Sequence, residues 1–578
     1  MNNRFEPSEE NIKALGRTIL RKGIRWCAFS GTGIEFVSRG KDVRIKIYGD
    51  STVTDPDNRA RLAIYVDGRR IIDDMIKEKE KEYVIARDAR ETVHTVRVIK
   101  LSESAMSTMG IGEIITESVL PTAQKDFFIE YIGDSITCGY GVDDENPEHH
   151  FLTSTEDVTK SFSYVSAGML DVDYSMVSFS GYGVLSGYTD SGKINSKELL
   201  PPHYKKFGFS YATSGTEGDT FKAEDIEWDF SGRKPQMVII NLGTNDSSYT
   251  GDNEKLQKQY QEKYIEFVKT VRTQYKDSYI LCILGLMGDI LYPALSEAVN
   301  TYKVENADFK IETMPLVPII AETEKYVADY HPTKVSHRRA AEALAERVKH
   351  IASREFGKVL GLKEVALTFD DGPNTTVTMD VLDVLRENDV KATFFLVGNS
   401  INEKSSVSIK RANEQGCEIE NHSMTHSAMS EMEEDEFLEE IGQTGKLIGK
   451  LTGVYPIFFR PPYIAVNDLM LEKIPLYMIA GYGCDDWKNE ITATMRAQKI
   501  LSQMADARIL LLHDAEDNQA AAKTVEIIIK RARALGYGFV RLDKLFENRH
   551  VMPLRGVVYN EATAIKKPDE NEEKQDEE

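Results

Sequence analysis

The stretch VALTFDDGP at residues 365–373 restricts the fold around it more than any other part of the chain. Its short run of apolar, β-prone residues reads as a buried strand, and Gly372-Pro373 ends that strand in a turn. Asp370 and Asp371 stand side by side at the strand end, where two carboxylates repel one another unless a cation sits on them. A divalent metal meets that need if the chain also supplies nitrogen ligands. HSMTH at residues 422–426 supplies His422 and His426, four apart, a spacing that suits one helical face or a tight loop. With Asp371 they form a three-ligand set that leaves room for water, as a catalytic metal requires. Such a metal lowers the pKa of bound water and polarises a carbonyl, and Asp370, not needed as a ligand, is placed to take a proton. Downstream, FFRPPY supplies Arg460 and Tyr463, and LLLHD supplies His513 at another strand end.

A second constellation centres on YIGDSITCGYG at residues 131–141. Ser135 lies between the end of an apolar strand and the next element, where a hydroxyl can protrude and be activated by an imidazole. Gly181 and Asn245 each follow a further apolar run, and His331 in DYHPT precedes a helical stretch. The four blocks suit an oxyanion pocket built from the Ser135 and Gly181 backbone N–H groups and the Asn245 amide, with His331 as base.

The 578 residues exceed what a single core holds and imply about three or four domains. Residues 1–122 alternate apolar and polar positions, as in 34–51, 61–72, 82–88 and 94–103, with Gly- and Asp-rich turns between; this pattern predicts a β-sandwich. No convergent acid, base or nucleophile shows there, so packing against the next domain is its expected role. Residues 123–354 alternate strands with helices, which predicts a parallel sheet covered on both faces with its site at the carboxyl ends of the strands. Residues 355–550 carry seven strand-like runs with intervening helices, a pattern closer to a barrel than to an open sheet. Residues 551–578, ending KKPDENEEKQDEE, read as an acidic disordered tail.

The net charge of −22 argues against nucleic-acid or anionic-membrane partners, which call for basic surface. No apolar run approaches the roughly 18 residues of a membrane span. Five scattered cysteines without metal spacing read as small buried hydrophobes in a reducing compartment. The first residues lack an apolar leader core, so the expectation is a cytoplasmic chain, or a secreted one whose leader has been removed. His149, His150, His203 and His337 belong to no motif and are expected at the surface.

On the four serine-site blocks, residues 1–354 resemble the SGNH hydrolases, and specifically carbohydrate esterase family two, in which a jelly-roll-like β-sandwich precedes an α/β/α SGNH-hydrolase domain. The resemblance implies removal of acetyl groups from plant-polysaccharide sugars, with Ser135 as nucleophile, His331 as general base, and Gly181 and Asn245 as oxyanion donors. The common SGNH pattern has an aspartate three residues before the histidine, but Ala328 stands there and Asp329 lies two before. Either Asp329 or a main-chain carbonyl then orients His331.

The motifs TFDDGP, HSMTH, RPPY, DDW and LLLHD, in that order, resemble the polysaccharide deacetylases of carbohydrate esterase family four, which fold as a distorted (β/α) barrel. The resemblance implies zinc, with cobalt or nickel as substitutes, on Asp371, His422 and His426. It makes Asp370 the general base, oriented by Arg460, and His513 the general acid. The Tyr463 backbone N–H holds the oxyanion, and Trp487 and Leu511 line the acetyl pocket. The family's acidic partner of the acid histidine falls on Gly483, which leaves Asp485 as the substitute. Ile464 follows the tyrosine where the family often has glycine.

The expected function is a bifunctional carbohydrate acetyl esterase acting on acetylated xylan or xylo-oligosaccharides, with acetylated mannan second. The alternatives are an N-deacetylase role for the metal domain on chitooligosaccharide or peptidoglycan fragments, and a non-catalytic glycan-binding role for one domain.

Overall fold

The computed structural model describes residues 3–563. It divides into two compact units, Met1–Lys349 and His350–Glu578.

The first unit opens with an antiparallel ten-stranded sheet organised on two long strands, Gly33–Gly49 and Glu80–Lys100. These pair along most of their length, with register shifts at Gly40/Asp42 and Val43/Arg44 where the ladder bends. Ile34 and Phe36 before the bend and Ile45 and Ile47 after it pack into one buried core. The sheet therefore folds over itself as a sandwich. The alternation legible in the sequence is the in–out alternation of these strands.

A five-stranded parallel sheet follows, in the order Asp173–Ser178, Phe128–Gly133, Met237–Asn241, Tyr279–Leu284, Ile311–Pro315. The middle strands are buried end to end, as expected for a sheet covered on both faces. Helix Glu254–Gln274 covers it through Tyr260, Tyr264, Phe267, Val268 and Val271, one stripe at helical spacing. The last strand, IETMP, lies at the sheet edge and is mostly half-buried, so it has no continuous apolar run to betray it in the sequence.

The second unit is built on a curled, parallel eight-stranded sheet. Seven of its strands fall on the seven runs read from the sequence, from Glu364–Asp370 to Gly538–Phe539. The eighth, Val558–Tyr559, lies in the stretch assigned to the tail and pairs with Tyr477–Ile479. Ordered structure thus runs past residue 551; residues 564–578, which hold most of the acidic stretch, lie outside the described residues. Buried rungs such as Ala366, Phe395, Phe458, Ile479 and Ile509 pack with Leu542, Leu545 and Phe546 of helix Leu542–Asn548.

All five cysteines are buried and free. Among the described residues no helix is long and apolar enough to cross a membrane. His149 and His150 are exposed, but His337 is fully buried and its Nδ1 accepts the Phe162 N–H at 3.2 Å, contrary to the expected surface position. The alternating chemistry of the helix Lys334–Phe356 does not reveal which face the Phe162 segment covers.

Candidate active sites

Strand Phe128–Gly133 delivers Ser135 at its carboxyl end. Asp134 caps the following turn by accepting the Ile136 N–H at 3.0 Å, and Ser135 is the first residue of the short helix Ser135–Cys138. Ser135 Oγ lies 2.9 Å from His331 Nε2, and His331 Nδ1 lies 3.0 Å from the main-chain carbonyl of Asp329. A carbonyl can only accept, so Nδ1 carries the proton and Nε2 presents its lone pair to the serine hydroxyl. Burial pushes the His331 pKa down to about 4 against the opposing pull of the Asp329 carbonyl and charge. The ring is therefore neutral, in the tautomer a general base needs, at ordinary pH.

Asp329 does not orient His331 through its carboxylate. That group accepts from Tyr140 Oη at 2.6 Å, from the Phe151 N–H at 3.1 Å, and pairs with His150 Nδ1 at 2.9 Å. Tyr140 in turn stacks on the His331 ring, centroids 4.0 Å apart. The reason lies in the backbone: Asp329 and Tyr330 both have positive φ, 49° and 59°, which turns the carbonyl toward the imidazole and the side chain away.

Gly181 adopts φ 82°, a conformation that other residues reach only with strain. Asn245, in helix Thr244–Thr250, donates one amide hydrogen to the Tyr182 carbonyl at 2.9 Å, and its second remains for a ligand. Buried Asp246 accepts the N–H groups of Val184, Leu185 and Ser186 and so anchors the chain that follows Gly181. Ser135, Gly181, Asn245 and His331 line one cleft of about 680 Å³, a size that holds a sugar residue with its substituents.

Two lining residues, Glu103 and Met106, follow directly on the sandwich's last long strand. The Glu103 carboxylate accepts the Ser180 N–H at 2.7 Å, beside Gly181, and burial raises its pKa. The sequence offered no signal for this: an acid after a strand is ordinary until the fold carries it to another domain's site.

In the second unit Asp370 is the last residue of its strand, and Asp371 follows with φ 75°. His422 and His426 sit on a loop rather than a helix, with Ser423 and His426 at positive φ. His422 Nε2 and His426 Nε2 lie 3.5 and 3.2 Å from Asp371 Oδ1, and one ligand atom from each of the three residues falls within a 4.8 Å cluster. His422 Nδ1 donates to the Arg460 carbonyl at 2.7 Å, which leaves Nε2 with its lone pair facing the cluster. Asp371 Oδ1 is buried without a hydrogen-bond donor. Two imidazole lone pairs and an orphaned carboxylate oxygen fit a divalent metal.

Fully buried Arg460 donates from Nη1 to Asp370 Oδ1 and from Nη2 to the Ala480 carbonyl, both at 2.6 Å, and stacks over Phe395. Tyr463, at φ 59°, is largely exposed, with its ring edge against His426. Trp487 meets the His513 ring edge-on, and Leu511 lies beneath in the same strand as His513.

The partner of His513 is Asp486, not Asp485. Asp486 Oδ1 lies 2.7 Å from His513 Nδ1, and Oδ2 accepts the His513 backbone N–H at 2.8 Å. Burial works against a charged imidazole, but the Asp486 hydrogen bond and charge win and raise the His513 pKa to about 9. Asp485 is exposed at φ 55°, so its side chain leaves on the other side of the turn. Both residues of DDW were equally available in the sequence; only the turn separates them.

Three family models match the chain. The polysaccharide deacetylase family model matches residues 358–477. A peptidoglycan-N-acetylglucosamine deacetylase of Bacillus cereus is 31% identical over 198 residues, covering 32% of this chain and 90% of that protein. Through this region the chain belongs to the polysaccharide deacetylase family. The carbohydrate esterase 2 N-terminal model matches residues 14–122, and the GDSL-like lipase/acylhydrolase model residues 129–344. A bifunctional xylanase/deacetylase of Pseudobutyrivibrio xylanivorans is 40% identical over 191 residues, 33% of this chain and 32% of that protein. The chain thus spans only about a third of that relative. The acetyl xylan esterase Est2A of Butyrivibrio proteoclasticus has the same fold over 60% of this chain and 98% of its own, at 23% identity and TM-score 0.54.

Proposed function

We propose that the chain removes acetyl groups from acetylated xylan-type oligosaccharides at two chemically distinct centres. The observation that carries this reading is that both centres are complete: Ser135 sits 2.9 Å from a neutral His331, and Asp371, His422 and His426 cluster beside Asp370. In the first, His331 takes the Ser135 proton as the hydroxyl attacks the acetyl carbonyl and returns it to the leaving sugar oxygen; water deprotonated by the same imidazole then releases acetate from Ser135. The Ser135 and Gly181 N–H groups and the Asn245 amide receive the developing oxyanion.

In the second, a bound metal supplies a Lewis acid and a nucleophile at neutral pH. Asp371, His422 and His426 would hold it, and zinc suits this nitrogen and oxygen set, with cobalt or nickel as substitutes. Asp370, oriented by Arg460, takes a proton, and His513, charged through Asp486, protonates the departing oxygen. The Tyr463 N–H borders the oxyanion position. Two centres on one chain suit acetyl groups at different ring positions, because one groove cannot bring every hydroxyl to near-attack geometry. The name of the Pseudobutyrivibrio relative supports xylan as the polymer.

Product-resolved NMR of acetylated xylo-oligosaccharides treated with Ser135→Ala, Asp371→Ala and the double variant tests the reading. Each single variant should leave a different subset of acetyl groups, and the double variant should leave all of them. Retention of full activity by the double variant would overturn it. The Bacillus cereus relative supports a second reading, amide cleavage on N-acetylglucosamine oligomers by the metal centre. Acetate release from those oligomers that is lost in Asp371→Ala would establish that reading.

A further inference from the structure

Residues 186–200 fold back over the turn that bears Gly181. The Gly183 N–H donates to the Glu198 carbonyl at 3.1 Å, and the Leu200 N–H donates to the Gly183 carbonyl at 3.0 Å, so the two segments run parallel there. Gly187 lies so close beneath the returning chain that a Cβ on it would stand 2.6 Å from Glu198 Cβ, a crossing that only glycine admits. These contacts bring the Glu198 carboxylate to the oxyanion side of the serine cleft. Its Oε2 lies 3.6 Å from the place a Cβ on Gly181 would take, and Glu198 lines the cleft with Ser135 and His331.

The Glu198 side chain is half-buried and held in place. Asn195 Nδ2 donates to its Oε2 at 2.7 Å and to the Tyr188 carbonyl at 3.1 Å. Its Oε1 has no hydrogen-bond donor, and no cation pairs with the carboxylate, among the described residues. A fixed acceptor oxygen therefore faces the cleft.

A second carboxylate stands on the opposite flank, beside His331. Burial opposes the charge on Asp329, but hydrogen bonds from Tyr140 and His150 hold its pKa below the usual carboxylate range. Among the described residues that line the cleft none is lysine or arginine, and Lys193 and Lys197, on the Glu198 segment, are exposed and do not line it. Ser135 thus works between two carboxylates with no lysine or arginine in the wall to offset them. A hydroxyl of a neutral sugar can donate to Glu198 Oε1, whereas an anionic substituent meets like charge on both flanks.

We propose that Glu198 is a specificity-determining residue of the serine centre, which selects acetyl esters on uncharged, hydroxyl-bearing sugars and rejects those beside a carboxylate, as on a uronic acid. The inference rests on the reading of Ser135 and His331 as an acetyl esterase centre, and the two fail separately.

The test uses the full chain carrying Asp371→Ala, so that only the serine centre turns over. The probes are methyl 4-acetoxybenzoate and 4-acetoxybenzoate, which share one acetyl ester and differ by one negative charge. Relative to their rates of alkaline hydrolysis, kcat/KM should favour the neutral ester by about tenfold. In Glu198→Gln, which keeps an oxygen for Asn195, that preference should narrow to within about threefold. Salt at about 0.5 M should narrow it in the parent as well, a readout that needs no variant. Asp229→Asn removes an exposed charge at the opposite end of the parallel sheet, beside Phe128 and Asp173, the first residues of their strands, and should leave the ratio at the parent value. A purely structural role for Glu198 would slow both esters alike and leave the ratio unmoved. A parent ratio no greater than that of alkaline hydrolysis, or an unchanged ratio in Glu198→Gln, would overturn the proposal. Hydrolysis of both esters that survives Ser135→Ala would instead overturn the serine centre itself.

Discussion

Asp329 and His331 meet through the aspartate's main-chain carbonyl, 3.0 Å from Nδ1, while its carboxylate lies on Tyr140 and Phe151. The serine centre is therefore a dyad whose imidazole is held by a backbone dipole and a stacked tyrosine. Among the described residues no carboxylate hydrogen-bonds the ring to stabilise an imidazolium, which fits the depressed His331 pKa of about 4.

Asp329→Asn should cost the serine centre less than about tenfold in kcat/KM for p-nitrophenyl acetate, whereas His331→Ala should cost about a thousandfold or more. Asparagine tolerates the positive φ and leaves the carbonyl in place. Steady-state kinetics on chelator-treated protein isolates this centre. Equal losses in the two variants would assign the work to the carboxylate.

The pH profile of the same centre follows from His331. The base must be neutral, so kcat/KM should hold from neutral pH downward and fall only as pH drops through about 4. Two buried imidazoles bear on stability over a higher range. His331 and His337, pushed by burial to about 4 and about 3, stay neutral in the folded state while the unfolded chain protonates near 6.5. Their contribution to stability therefore falls as pH drops from 6.5 to about 3, while buried acids such as Asp134 and Asp514, raised to about 7, contribute with the opposite sign. The difference in denaturant midpoint between the parent and His337→Asn, followed from pH 7 to pH 4, isolates the histidine part: the parent's advantage should shrink toward pH 4.

Asp486 sets the charge on His513. With His513 raised to about 9, activity of the metal centre should fall as pH rises through that value. Asp486→Asn should move this alkaline limb downward and cost about ten- to a hundredfold at pH 8, while Asp485→Asn should change little. A pH–rate series on acetylated xylo-oligosaccharides with the Ser135→Ala background separates the two variants.

Chelation should abolish acetyl release by Ser135→Ala protein and leave p-nitrophenyl acetate hydrolysis by Asp371→Ala protein unchanged. Added zinc should restore the first. Full activity of Ser135→Ala protein after chelation and dialysis would remove the metal from the mechanism.

Glu103 reaches the serine cleft from the end of the sandwich and accepts the Ser180 N–H at 2.7 Å. Glu103→Ala should lower kcat more than it raises KM, by about tenfold, because the turn bearing Gly181 loses its anchor. Glu103→Gln keeps an acceptor oxygen and should recover most of the rate. A thermal melt alone does not distinguish the two, so the kcat-against-KM split is the informative measurement.

By itself, the amino-acid sequence determined the residue types of both centres and the strands that carry them. Strand ends are marked locally, by an apolar run stopped at GDS, NLGTND or DDGP, and in parallel sheets those ends converge. It also determined the change from alternating to strand–helix patterning near residue 122, since side-chain period is a local property. Only the tertiary structure decided which of two neighbouring groups supports each centre. It chose the Asp329 carbonyl over its carboxylate and Asp486 over Asp485, and it carried Glu103 from the sandwich to Ser180. Those choices turn on single positive-φ residues and on contacts between segments distant in the chain. Neither leaves a trace in composition or spacing, because the same residues would read alike whichever way the backbone turned.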